Sequence, residues 1–125
     1  MIAAGIGARE SASADDMVAA VKTACLAAGV EGAGVLAGLE RSRDALAGAA
    51  EVFGARLDIC DLARLRAESG RCLTNSTRSL AASGVPSVAE AAALAAAGPD
   101  GVLIQPRITF DRVTVALAAT REASP

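Results

Sequence analysis

Met1-Ile2-Ala3-Ala4-Gly5-Ile6-Gly7-Ala8-Arg9-Glu10-Ser11-Ala12-Ser13 is the stretch whose reading decides the fold. Its apolar run reads as a strand that ends in two glycines and an arginine, and a helix start follows at once. Strand, glycine loop and helix N-terminus in succession is the layout by which α/β proteins turn backbone N–H groups toward an anion. Ser13-Ala14-Asp15-Asp16 has the form of a capping box, with Ser13 at N-cap and Asp16 at N3 in place of glutamate. Both acids lie where the helix dipole favours negative charge. Met17, Val18, Val21, Cys25 and Ala28 then recur at helical spacing, and Gly29 supplies the stop.

The same alternation continues outward. Gly34 to Glu40 reads as a second strand, Arg43 to Phe53 as a helix closed by Gly54, and Arg56 to Cys60 as a half-buried strand. Asp61 is a suitable cap for a short helix through Glu68, which Ser69-Gly70 ends. Thr74-Asn75-Ser76-Thr77 can cap a short helix around Arg78 to Ala82. Ser87-Val88-Ala89-Glu90 is a second capping box, with its helix running to Ala97 before the turn at Gly98-Pro99-Asp100-Gly101. Val102-Leu103-Ile104 is a continuous apolar run, as expected of a strand covered on both faces, and Pro106 ends its ladder or sits beside a bulge. Val113, Val115 and Leu117 alternate with small residues in a last strand, and the short connection makes these two an antiparallel hairpin. The sum is one α/β domain over residues 1–125. It is a three-layer α/β/α sandwich with a mixed, mainly parallel sheet and a C-terminal antiparallel hairpin.

Composition excludes several function classes. The 125 residues are 53% apolar and carry a formal net charge of −2, and Phe53 and Phe110 are the only aromatics, so a nucleic-acid partner is not expected. Histidine is absent, which removes histidine triads, histidine proton shuttles and most metal chelation by imidazole. No metal or cofactor is expected. Cys25, Cys60 and Cys72 form no C-x-x-C pair and read as reduced thiols of a cytoplasmic protein. Cys25 falls on the apolar face of its helix. Cys60 and Cys72 lack a histidine to activate them. The N-terminus has no basic signal-peptide region, and the run Ala91 to Ala97 is too short to cross a bilayer, so no membrane partner is expected.

Helices in such folds start at the carboxyl edge of the parallel strands, where ligands bind. The loop Gly5-Ile6-Gly7-Ala8-Arg9, the helix starts at Ser13 and Ser87, and Gln105-Pro106-Arg107 at the end of an inner strand are expected on that edge. Candidate ligand-binding residues are therefore Gly5, Gly7, Arg9, Ser87, Gln105 and Arg107, a set suited to carboxylates or phosphates. Arg9 stands out, because folding alone gives little reason for a charge in a glycine loop. Glu10 replaces the third glycine of the dinucleotide fingerprint, which argues against a nicotinamide site. Ser87 and Glu90 are accounted for as a helix cap. The Asp15/Asp16 and Arg64/Glu68 pairs read as capping and surface charge.

These residues also carry a resemblance. Gly5-Ile6-Gly7-Ala8-Arg9 with its capped helix, Gly84-Val85-Pro86-Ser87-Val88-Ala89-Glu90-Ala91-Ala92-Ala93-Leu94, Val102-Leu103-Ile104-Gln105-Pro106-Arg107 and Val113–Ala118 follow in the order of the CobE / CbiG C-terminal family of cobalamin biosynthesis proteins. Nearly the whole chain is similar to that family, with Leu36 to Asp44 the loosest part. The family usually has cysteine at the position of Ala8, a second basic residue at Glu10 and lysine at Arg107. Ala8 has no thiol, so a catalytic cysteine in that loop is excluded here.

The resemblance implies a part in building the corrin ring. Longer relatives resemble a hydrolase that opens a cobalt-precorrin lactone and releases acetaldehyde. Short ones resemble proteins of the aerobic route. A precorrin is rich in carboxylates, so an arginine-bearing rim suits it. One expectation is a module that binds a tetrapyrrole (precorrin) intermediate or hands it to a precorrin methyltransferase. Another is a lactone hydrolase, with Glu90 the candidate catalytic base and Arg9 or Arg107 stabilising the oxyanion. A third is a structural partner of a methyltransferase.

Overall fold

The computed structural model describes residues 1–120. Its elements, in chain order, are β1 (Ile2–Ala8), α1 (Ala14–Ala28), β2 (Val35–Leu39), α2 (Arg43–Phe53), β3 (Arg56–Cys60), α3 (Leu62–Arg66), α4 (Thr77–Ser83), α5 (Val88–Ala97), β4 (Val102–Thr109) and β5 (Val113–Ala119). Short 3-10 turns at Glu40–Ser42 and Ser69–Arg71 precede α2 and follow α3. The sheet order is β3-β2-β1-β5-β4. β1, β2 and β3 pair in parallel, while β5 is antiparallel to both β1 and β4. Four strands therefore point one way and β5 alone runs back.

Two periodicities sort the side chains onto the two sheet faces. Ala4, Ile6, Leu36, Val113, Val115 and Leu117 turn toward α1 and α2 and meet Met17, Val21, Cys25, Leu46 and Ala49. Each fully buried large apolar side chain there contributes about 1.5–3 kcal/mol before entropy is subtracted. The opposite face is built almost wholly from small residues. Ala37, Ala116 and Ala118 face α5, whose Ala89, Ala91, Ala92 and Ala93 are all buried. With no bulk between them, helix and sheet approach to backbone contact. A Cβ placed on Gly5 would overlap the Ala89 carbonyl oxygen and the Ala93 backbone nitrogen.

Local signals behave as chemistry predicts. The Ser13 hydroxyl accepts the Asp16 N–H at 3.1 Å, and the Ser13 N–H donates to Asp16 Oδ2 at 2.9 Å, so the first capping box is complete. Asp61 accepts the Arg64 N–H at 2.7 Å and starts α3, which stops at Arg66 rather than Glu68. Ser76 caps α4.

The expected surface pair at Arg64 and Glu68 is a different arrangement. Arg64 grips Asp58 of β3 at 2.6 and 2.9 Å and donates to the Ala95 carbonyl at 3.2 Å, pinning α3 and α5 to the sheet. Arg64's hydrogen bonds hold the Asp58 carboxyl below its usual range. Glu68 pairs with Arg71, whose guanidinium also donates to the Gly98 and Gly101 carbonyls at 3.1 and 2.8 Å, closing the end of α5.

Three expectations are corrected. The glycines of the opening stretch do not form a loop, because β1 runs through both to Ala8 and pairs Gly5 with Ala37 and Ala116 and Gly7 with Thr114. At Gly5 the small residue is required by the close passage of α5, which does not crowd Gly7. Second, the run Val102-Leu103-Ile104 is not inner. β4 lies at the sheet edge, with Val102 47% and Ile104 36% exposed, and β5 takes the inner place. Pro106 lacks an N–H and suits that edge, where the register shifts between Leu103 and Gln105 and between Gln105 and Ile108. Third, only half of the second capping box exists, since Ser87 accepts the Glu90 N–H at 3.2 Å while the Glu90 carboxylate turns elsewhere.

Candidate functional site

The carboxyl ends of β1, β2 and β3 open onto the α5 face of the sheet, and a cleft of about 780 Å³ lies there. Its floor is Gly7, Ala8, Leu39 and Cys60; the start of α5 (Ser87, Val88, Ala89), one side of α4 and the β4–β5 turn around Phe110 complete it. The sheet topology dictates this assembly. β4 runs parallel to β1 through the intervening β5, so Arg107 comes up on the same edge as Arg9 although 98 positions separate them (107 minus 9).

Of the residues expected from sequence, Gly7, Arg9, Ser87 and Arg107 line this cleft. Gly5 and Gln105 do not: Gly5 is sealed beneath α5, and the Gln105 amide donates to the Pro106 carbonyl at 3.0 Å. The α1 start at Ser13 lies outside the cleft too; Asp16 instead lines a smaller hollow of about 390 Å³ with Arg112 and Phe110.

Sequence reasoning missed two further arginines, Arg41 and Arg78, which also line the cleft. Arg41 is the second residue after β2 and donates to the Ala8 carbonyl at 3.3 Å. Arg78 is in the first turn of α4. The rule that placed Arg9 on the carboxyl edge applies equally to the residues after the second strand, so Arg41 was within reach of the same signal. Among the described residues, Arg43, Arg64, Arg71 and Arg112 each pair with a carboxylate, while Arg9, Arg41, Arg78 and Arg107 of the cleft have no such partner, and neither do Arg56 and Arg66 outside it. The cleft thus gathers cationic groups that the fold does not neutralise, beside the carboxylates Glu40, Asp61 and Asp111.

Glu90 stands apart from the cleft lining, with its side chain fully buried. Its Oε1 accepts the N–H groups of Leu73 and Thr74 at 2.8 Å each, and its Oε2 accepts the Thr74 hydroxyl at 2.7 Å and the Arg107 N–H at 3.0 Å. Burial alone would raise this carboxyl; the donors from Arg107, Thr74 and Leu73 together outweigh it and hold the group below its usual range. The candidate base of the sequence reading therefore has both oxygens engaged by the protein itself. Desolvation pushes the Cys60 and Cys72 thiols up to about 11, which leaves little thiolate near neutral pH. Cys25 is buried in the α1 packing. Among the described residues, no group of three or more His, Cys, Asp or Glu is placed to hold a metal ion, and no single helix is long and apolar enough to cross a membrane.

Comparison with known proteins follows the same outline. CobE, described as a protein from the cobalamin (vitamin B12) biosynthetic pathway, superposes with a TM-score of 0.86 at 30% identity, over 94% of this chain and 89% of its own. Cobalamin biosynthesis protein chiG from Agrobacterium tumefaciens str. C58 is 42% identical over 97% of this chain and 99% of its own, with a TM-score of 0.76. A cobalamin biosynthesis protein G homologue from Sulfolobus solfataricus shares the fold at 21% identity and a TM-score of 0.74, and this chain spans 36% of it. No curated protein matches the chain. The sequence profile described as Cobalamin synthesis G C-terminus covers residues 2–118, and the chain belongs to that family, the CobE/CbiG C-terminal domains of cobalamin biosynthesis.

Proposed function

We propose that this chain binds a carboxylate-rich precorrin in the arginine-lined cleft and hands it to another protein of corrin-ring construction, such as a precorrin methyltransferase. The observation that carries this reading is the set of four arginines, Arg9, Arg41, Arg78 and Arg107, around one cleft with no carboxylate partner among the described residues. Guanidinium groups bind carboxylates in pairs of parallel hydrogen bonds, and a macrocycle edged with acids offers several such partners at once. Leu39, Leu62, Val88 and Phe110 supply apolar surface for the ring itself. The volume falls in the range of small-molecule sites, about 300–1,000 Å³. With a net charge of −2, the attraction has to come from the local cluster of arginines rather than from the field of the whole protein. A lactone hydrolase gains no support from Glu90 or Cys60, whose functional atoms are committed to the fold or held protonated.

Titration of uroporphyrin, a stable tetrapyrrole edged with carboxylates, against wild type and Arg9→Ala tests the proposal. Removing one well-engaged charged partner costs roughly 1.5–3 kcal/mol, a weakening of about ten- to a hundredfold. Equal affinity in a folded Arg9→Ala protein removes Arg9 from the site, and no binding by wild type removes the proposal.

A further inference from the structure

The fully buried Glu90 carboxylate does more than a helix cap requires. Its four hydrogen bonds reach residues 16 and 17 positions away, on either side of α5 in sequence. A buried charge is a poor means of stabilising a fold, because packed apolar groups of the same size do it as well. What this charge supplies is position. Both segments it ties down carry arginines of the cleft: one is Arg107 itself, held through its own peptide N–H, and the other is Leu73-Thr74, which leads into α4 and Arg78.

α4 has no buried residue of its own. Its place depends on what grips its two ends. The Ser76 N–H donates to the Pro86 carbonyl at 3.1 Å, and Arg66 donates to the Ser83 carbonyl at 3.2 Å. Just before the helix, the Glu90 clamp holds Leu73 and Thr74, beside a weak contact of the Cys72 thiol to the Ser87 carbonyl at 3.8 Å.

We propose that Glu90 is a positioning residue of the anion cleft, a carboxylate that fixes the segments bearing Arg107 and Arg78 against the start of α5. The inference rests on the cleft being the ligand site. A clamp acting through other residues leaves a specific trace. Loosening it frees three amides locally, and it lowers the value of an arginine that is no longer held in place.

Glu90→Gln tests this, since it keeps the shape but turns an amide toward groups that are themselves donors. Thr74→Val, which removes the hydroxyl bond alone, serves as a milder second variant. Amide hydrogen exchange, measured without ligand, is expected to quicken by about tenfold or more at Leu73, Thr74 and Arg107 in Glu90→Gln, and by less in Thr74→Val, with β1 and β5 as protected as in wild type. Unchanged exchange at those three amides, or uniform loosening of the core, overturns the clamp. In uroporphyrin titrations, Arg107→Ala is expected to weaken binding by about tenfold or more in wild type and by under about threefold in the Glu90→Gln background. Equal losses in both backgrounds overturn the positioning role. Failure of wild type to bind overturns the reading of the cleft and the ligand half of this inference with it, while the exchange data still decide the clamp.

Discussion

Gly5 and Gly7 sit two positions apart on one face of β1, yet they are glycine for different reasons. Above Gly5 passes the backbone of α5, and no side chain can give way there; above Gly7 an added Cβ would rest 3.6 Å from Val88 Cβ, an ordinary contact. Gly5→Ala is therefore expected to destabilise the protein by about 3 kcal/mol, the upper end of overpacking costs, while Gly7→Ala stays within about 1 kcal/mol of wild type. Denaturant midpoints of the two variants check this contrast. The sequence showed two glycines after an apolar run but not which would be covered, because the covering helix lies more than eighty residues downstream. Glu90 makes a pH prediction at the same scale. Its folded pKa lies below the ordinary 4.5, so its carboxylate stabilises the fold above about pH 4.5 and that contribution is lost as pH falls through the folded value. As pH falls below about 4.5 the wild-type stability should therefore fall more steeply than that of Glu90→Gln, as read from urea midpoints at each pH.

At the scale of elements, the caps were legible because they are written in three or four adjacent residues. Ser13 and Ser87 both accept an N–H from the third helical residue, but Ser13 is exposed and Ser87 is buried. Water can replace the lost hydroxyl at α1, so Ser13→Ala should cost on the order of 1 kcal/mol. At α5 the N–H is left without a partner, so Ser87→Ala should cost more, about 1–3 kcal/mol. Chemical denaturation of both variants tests the order. Strand position was harder to read. Val102-Leu103-Ile104 has the composition of an inner strand and lies at the edge, because the alternation that would mark exposure is carried here by apolar side chains. Pro106 and the bulges around it were the better guide.

For the whole molecule, the rim was legible in outline and not in membership. The α/β rule predicted that the carboxyl edge would bring the opening and closing parts of the chain together, and Arg9 and Arg107 do line one cleft. Arg41, just past the second strand, was open to that same rule, whereas Arg78 went unseen because its segment has few apolar anchors and its place is set by contacts across the fold. The Glu90 clamp was hidden for the same reason: a capping box and a long-range anchor are spelled with the same letter. Sheet order sets a further expectation. β1 needs β5 on one side, and β5 also brings Val113, Val115 and Leu117 to the α1 face. A chain ending at Asp111 should therefore show no cooperative thermal transition by circular dichroism.

That arrangement has a consequence for synthesis on the ribosome. Of the five strands, the middle one is translated before the other four, and one of its two neighbours after them all. Through most of elongation the nascent β1 has an open flank of unsatisfied peptide groups, the kind of edge that pairs with whatever extended chain it meets. Completion of the domain is thus a single late event, and the interval before it is when this protein is most exposed to misassembly with its own copies.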